Sequence, residues 1–273
     1  MAGLSISRAW EETRRVLAHD GRLVASVALA MIAFPAALSA LVNPRAMSDS
    51  ATPMWIDVLV LLCSLVVLSG QLALIRLALA PSITVGAAIA HGFRRMPIYL
   101  LAAILVGMAM LIAAIPFFLV LVLSGVSLAG ADLMRSPVFL LLSGLYLIVL
   151  FFVGVRMIMS SPAASAEPIG PIEIIRRSWH LTHGHGWALF GFLVLFFVGA
   201  AVLLIAVSSA LGSVVTLLLG PVEPMSLSAL LVALADAIVQ AIVTSLLAIM
   251  LARIYAQLSG GGGGSVSVPR SGT

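Results

Sequence analysis

The sequence predicts an all-α integral membrane protein. Six transmembrane helices are expected, with both termini cytoplasmic and three amphipathic helices at the inner interface. Three observations carry this expectation. Of 273 residues, 62% are hydrophobic and only 9% are charged, whereas a soluble domain carries roughly 25% charged residues. The apolar residues run in stretches of about 20, the length a helix needs to cross a hydrocarbon core about 30 Å thick. The fourteen basic residues are all arginine and they segregate: Arg45 and Arg135 fall on one side of the alternating runs, and the other twelve fall on the opposite side. By the positive-inside rule that richer side is cytoplasmic. The net charge of +4 is then a topology signal, and no nucleic-acid partner is expected.

In chain order, the spans are expected at about Leu23–Val42, Ile56–Ala80, Ile98–Ser124, Val138–Ser160, Trp187–Ser209 and Leu227–Ala256. The opening "MAGLSISRAWEETRRVLAHDGR" is long and carries acidic as well as basic residues, and the apolar run behind it exceeds the 7–15 residues of a cleaved signal. That run is read as a permanent first span. Pro35 and Pro116 lie inside the first and third spans, where a missing N–H predicts kinks. The fifth apolar region, Trp187 to Leu219, would make roughly 50 Å of helix, too long for the core. The helix is expected to end near Ser208–Gly212, leaving "SVVTLLL" as a short interfacial piece. Residues 259–273, opened by a glycine run, read as a flexible cytoplasmic tail.

Each odd-numbered span is preceded by an amphipathic stretch. In "SISRAWEETRRVL" the expected apolar face is Ile6, Ala9, Trp10, Thr13, Val16 and Leu17. In "SITVGAAIAHGFRRM" it is Val85, Ala88, Ile89, Phe93 and Met96. In "GPIEIIRRSWHLT" it is Ile172, Ile175 and Trp179, with Pro171 at the first helical position and Glu173 within reach of Arg176 or Arg177. The chain therefore reads as a threefold helical-hairpin pattern. The alternative is that any hairpin protein accumulates basic amphipathic linkers at this interface.

Ser178-Trp179-x-Leu181-Thr182-x-Gly184, set in "PIEIIRRSWHLTHGHGWALFGFLVLF", gives the chain a family likeness, together with "RLALAPSITVGAAIAHGFRRMP" and "LARIYAQLSG". It resembles the membrane domain fused to some bacterial glycerophosphoryl diester phosphodiesterases and found in many stand-alone bacterial membrane proteins. The resemblance runs from about Ser5 to Gly260. It implies a membrane domain without the soluble catalytic barrel, whose His, Glu and Asp no segment here supplies, so the chain is not expected to be an enzyme. Here His180 and His183 fill the variable, often basic positions of the motif.

Several chemistries compete for "RRSWHLTHGHGW". Arg176, Arg177, His180, His183 and His185 form a basic cluster suited to anions or lipid headgroups. Three imidazoles could in principle hold zinc, but the nearest carboxylate in sequence is Glu173 and the lone cysteine is Cys63; no metal and no cofactor is expected. Trp10, Trp179 and Trp187 suit the membrane–water boundary. Arg76, Arg156 and Arg253 close the returning spans, placed to snorkel and complement helix dipoles. Within the spans, Gln71, Asp236 and Gln240 are polar. Asp236 is expected either to be protonated and bonded to Gln71 or Gln240, or to line a wet cavity. There is no phosphate-binding glycine loop, nucleophile elbow or H-E-x-x-H. The expected function is non-enzymatic: a lipid-interacting or anchoring module whose partners are membrane phospholipid and a separately encoded protein. The alternatives are a small transporter using Asp236 and Gln240, or a membrane-embedded enzyme acting on a lipid phosphate.

Overall fold

The computed structural model describes residues 5–42, 53–80, 83–125, 133, 136–220 and 226–260. Arg45, Arg135, Arg270 and residues 261–273 of the expected tail lie outside them. Among the described residues every regular element is helical. Six helical stretches are long and apolar enough to cross a membrane: Ile6–Val42, Met54–Leu79, Val85–Leu123, Pro137–Ala166, Gly186–Leu218 and Leu227–Gly260.

The first stretch comprises α1 (Ile6–Ala28), a π-helical turn (Leu29–Ala33) and α2 (Phe34–Val42). Ser5 caps α1, its hydroxyl accepting from Arg8 N at 3.3 Å. The amphipathic segment runs straight into the span, with non-helical backbone angles only at Asp20. The irregularity expected at Pro35 falls just before it. Phe34 N–H donates to Leu29 O, five residues back. This wider turn relieves the clash a proline ring makes with the carbonyl four residues earlier.

Next come α3 (Met54–Leu79) and α4 (Val85–Leu123). The second amphipathic stretch is the first part of α4, capped by Thr84 accepting from Ala87 N. The helix continues through both Pro97 and Pro116. Then follow α5 (Pro137–Met157), a seven-residue helix α6 (Ser160–Ala166), α7 (Pro171–Thr182), α8 (Gly186–Leu219) and α9 (Leu227–Gly260). The expected break near Ser208–Gly212 does not occur: α8 is one helix of 34 residues. Nothing in this stretch removes a backbone donor, and Ser213 and Thr216 turn their hydroxyls back onto Ser209 O and Gly212 O within the helix. Excess length over a bilayer is accommodated by tilt.

The packed core sits at the arginine-rich end. There α1, the π-turn, α3 and α9 interlock through Val27, Ile32, Leu74, Ile75, Ile249 and Ala252, all buried. A second cluster joins Ala9, Met159, Leu181, Leu189 and Ile254. Towards the other end the helices are open to their surroundings, with Leu111, Ile115, Leu141, Ile205 and Leu217 exposed. In the most apolar eighteen-residue windows, 39% of residues are buried in each of the first two spans, but only 6% in the third and fourth. Such surfaces are sustainable because lipid tails are as apolar as leucine.

Candidate functional site

The Ser-Trp-x-Leu-Thr-x-Gly motif has a physical reason at every fixed position. Pro171 opens α7, and Glu173 reaches back to Gly170 N at 3.4 Å. Ser178 is fully buried and donates to Arg156 O, at the end of α5, at 2.7 Å. Thr182 donates to Ser178 O at 2.9 Å and stands 3.4 Å from the same Arg156 carbonyl. The last turn of α5 has carbonyls with no helical partner, and these hydroxyls supply one. Trp179 and Phe152 both face the Arg156 guanidinium, at 5.4 and 5.2 Å from their ring centroids. Leu181 enters the second core cluster. Gly184 has φ +83°, a conformation that favours glycine, and lets the chain reverse into α8.

A second knot lies beside this one and was not anticipated. The linker "SSPAASAEPIG" forms α6, and Ala163, Ala164 and Ser165 are completely buried. The Ser165 hydroxyl donates to Leu72 O of α3 at 2.9 Å. His91 Nε2 of α4 lies 2.9 Å from Ser165 O. Arg95 Nη2 donates to Glu167 O at 2.7 Å. The Glu167 carboxylate accepts from Arg177 Nε and Nη2, at 3.0 and 2.9 Å, and from the Tyr255 hydroxyl of α9. Burial works against the Arg177 charge, but Tyr255 and Glu167 outweigh it and raise its pKa above the ordinary guanidinium value. Four helices thus meet at Ser165–Glu167. A carboxylate set between Pro162 and Pro168 in an apolar linker was the available signal, but its partners lie 72 and 88 residues away from it for Arg95 and Tyr255.

These contacts correct several expectations. Glu173 caps its own helix, and Arg177 pairs with Glu167. The buried side of α7 is Ile174, Ser178, Leu181 and Thr182. Ile172 is 64% exposed. Of the expected apolar face, Ile172 and Trp179 are turned outward with Arg176, His180 and His183 around an open hollow of about 450 Å³, while Ile175 is partly buried against the cluster of Leu72, Ala102, Ala164 and Ile174. The basic cluster therefore divides: Arg176, His180 and His183 face outward, while Arg177 is taken up by Glu167. His185 sits in the α7–α8 turn with Nδ1 buried and no hydrogen-bond partner. Among the described residues no three His, Cys, Asp or Glu side chains gather as a metal site. Trp10, Trp179 and Trp187 are all exposed, Trp187 at 86%. Arg76, Arg156 and Arg253 do not simply reach outward. Each has one buried guanidinium nitrogen without a partner: Nε in Arg76 and Arg253, Nη1 in Arg156.

A larger trough, about 780 Å³, separates α5 from α8. Its walls are apolar and aromatic, and the Phe151 and Phe190 rings meet edge-on across it at 4.9 Å. Arg156 and Gly184 lie at one end, Leu147 and Val194 at the other.

Asp236 is joined to neither expected glutamine. Ser208 of α8 donates to its Oδ1 at 2.6 Å; Gln71 is half-buried on α3, and Gln240 is exposed. Ser208→Ala is expected to lower stability by about 0.6–1.7 kcal/mol, the range for hydrogen bonds between membrane helices. Asp236→Asn keeps an acceptor oxygen and should cost less, as read by thermal unfolding in detergent. A larger loss for the asparagine variant would show that the bond is not what Asp236 contributes.

No curated protein and no solved structure matches the chain. One family model does, over residues 4–258, nearly the whole described helical region. The chain therefore belongs to the family described as a domain of unknown function, DUF7847.

Proposed function

We propose that this chain is a non-enzymatic multi-pass protein of the bacterial inner membrane, with both termini cytoplasmic, acting as a lipid-interacting anchoring or assembly module. The observation that supports this reading is the two-sided character of α7. One side is locked into the bundle through Ser178, Leu181 and Thr182. The other presents Ile172 and Trp179 together with Arg176, His180 and His183. An apolar stripe flanked by an arginine and imidazoles is the composition of a helix lying in the plane of an anionic membrane surface. The concentration of arginines at that end favours the cytoplasmic leaflet. The Ser208–Asp236 bond favours a helix-joining role for Asp236 over a transport pathway. The kinship with phosphodiesterase membrane domains belongs to the same proposal, and with it a separately encoded catalytic protein as the kind of partner such a module would hold.

Cysteine labelling tests the placement. Cys63 is buried, so Cys63→Ala with His183→Cys leaves one exposed thiol. A membrane-impermeant maleimide is expected to label it in inside-out vesicles and not in intact spheroplasts. Labelling in spheroplasts would overturn the orientation.

A further inference from the structure

We propose that the trough between α5 and α8 binds one acyl chain of an anionic glycerophospholipid, with Arg156 meeting its phosphate. The inference deepens the functional reading above and rests on its placement of the arginine-rich end at the membrane interface.

The trough has the polarity and length of half a bilayer. Arg156 and the α7–α8 turn stand at the interfacial end, and Leu147 and Val194 at the inner end. From Arg156 to Leu147 is nine helical steps, about 13–14 Å. One leaflet contributes roughly 15 Å of hydrocarbon. The volume of about 780 Å³ falls within the roughly 300–1,000 Å³ of small-molecule sites. Its walls offer an acyl chain only apolar contact, including the Phe151–Phe190 pair.

The charge at the end selects the occupant. Phe152 and Trp179 face the Arg156 guanidinium, which favours the cation but satisfies none of its N–H donors. Nη1 is buried with no hydrogen-bond partner. His185 Nδ1 is likewise buried and unpartnered, and its neighbours Gly184 and Gly186 line the trough. A phosphate oxygen at this depth is the natural acceptor for the Arg156 donor. A free anion would leave the apolar length uncovered, and a neutral hydrocarbon would leave the arginine unpaired. A phospholipid matches both ends.

The test is native mass spectrometry of the full chain, delipidated in detergent and titrated with phosphatidylglycerol. Wild type is expected to retain one lipid. Val194→Trp fills the inner end of the trough, and Arg156→Gln removes the charge. Each is expected to lower occupancy tenfold or more at the same lipid concentration. Ile205→Trp puts the same bulk on an exposed position of α8 outside the trough and should match wild type within twofold. Because Arg156→Gln also frees Trp179, Val194→Trp carries the test if the glutamine variant does not fold. Undiminished binding by Val194→Trp would overturn the proposal, as would an Ile205→Trp variant that loses lipid as fully as the trough variants. Either result can stand beside correct labelling at position 183, which would leave the broader functional reading intact.

Discussion

Replacing Glu167 with alanine is expected to lower the unfolding free energy by about 2–4 kcal/mol. One carboxylate oxygen accepts from two nitrogens of Arg177 and from the Tyr255 hydroxyl. Its removal strands a cation and a phenol together. The pair is not sealed from solvent, with the Arg177 and Glu167 side chains 37% and 30% exposed, so the loss should stay at or below that of a fully buried pair. Tyr255→Phe removes one donor and should cost about 1–2 kcal/mol. The two effects should not add: with Glu167 already absent, the tyrosine substitution should be nearly silent. Thermal or denaturant unfolding in a single detergent would measure this cycle. Strict additivity would mean that Tyr255 and Glu167 do not act as a unit.

Gly92→Ala should also be damaging, for a reason unrelated to polarity. At Gly92, α4 crosses α3 so closely that an added Cβ would overlap the Ser69 carbonyl oxygen and press on Ala73 Cβ at 3.2 Å. The obstacle is backbone, which cannot rotate away. Overpacking of this kind costs about 1–3 kcal/mol, and the upper part of that range is expected. Alanine would otherwise favour a helix by up to about 1 kcal/mol. Gly107→Ala, on the same helix with nothing within 4 Å of a new Cβ, isolates that opposite effect and should be neutral or mildly stabilising. Equal melting temperatures for the two variants would show that the crossing has room to spare.

What the sequence determined by itself was the number, order and approximate position of the spans. A helix in a bilayer must satisfy its own backbone and present about 20 apolar residues, a local requirement that can be read one segment at a time. The docking motif was likewise legible as a pattern, although its reasons were not. Ser178, Thr182 and Gly184 acquire meaning only beside Arg156 and the reversal into α8.

The tertiary structure decided which faces touch protein and which touch lipid. In water, an apolar stripe marks the buried side of a helix. In a membrane, lipid is as apolar as the core, so the stripe loses that meaning. On α7 Ile172 and Trp179 face outward among Arg176, His180 and His183, while the inward face carries Ser178 and Thr182 beside Ile174 and Leu181. The Glu167 knot was hidden because its partners are distant in sequence. Asp236 meets Ser208 rather than Gln71 or Gln240 because the packing of α8 against α9 decides which polar groups come together. Only the assembled helices place Arg156 at the head of an apolar trough, with two aromatic rings against it and a donor still unused.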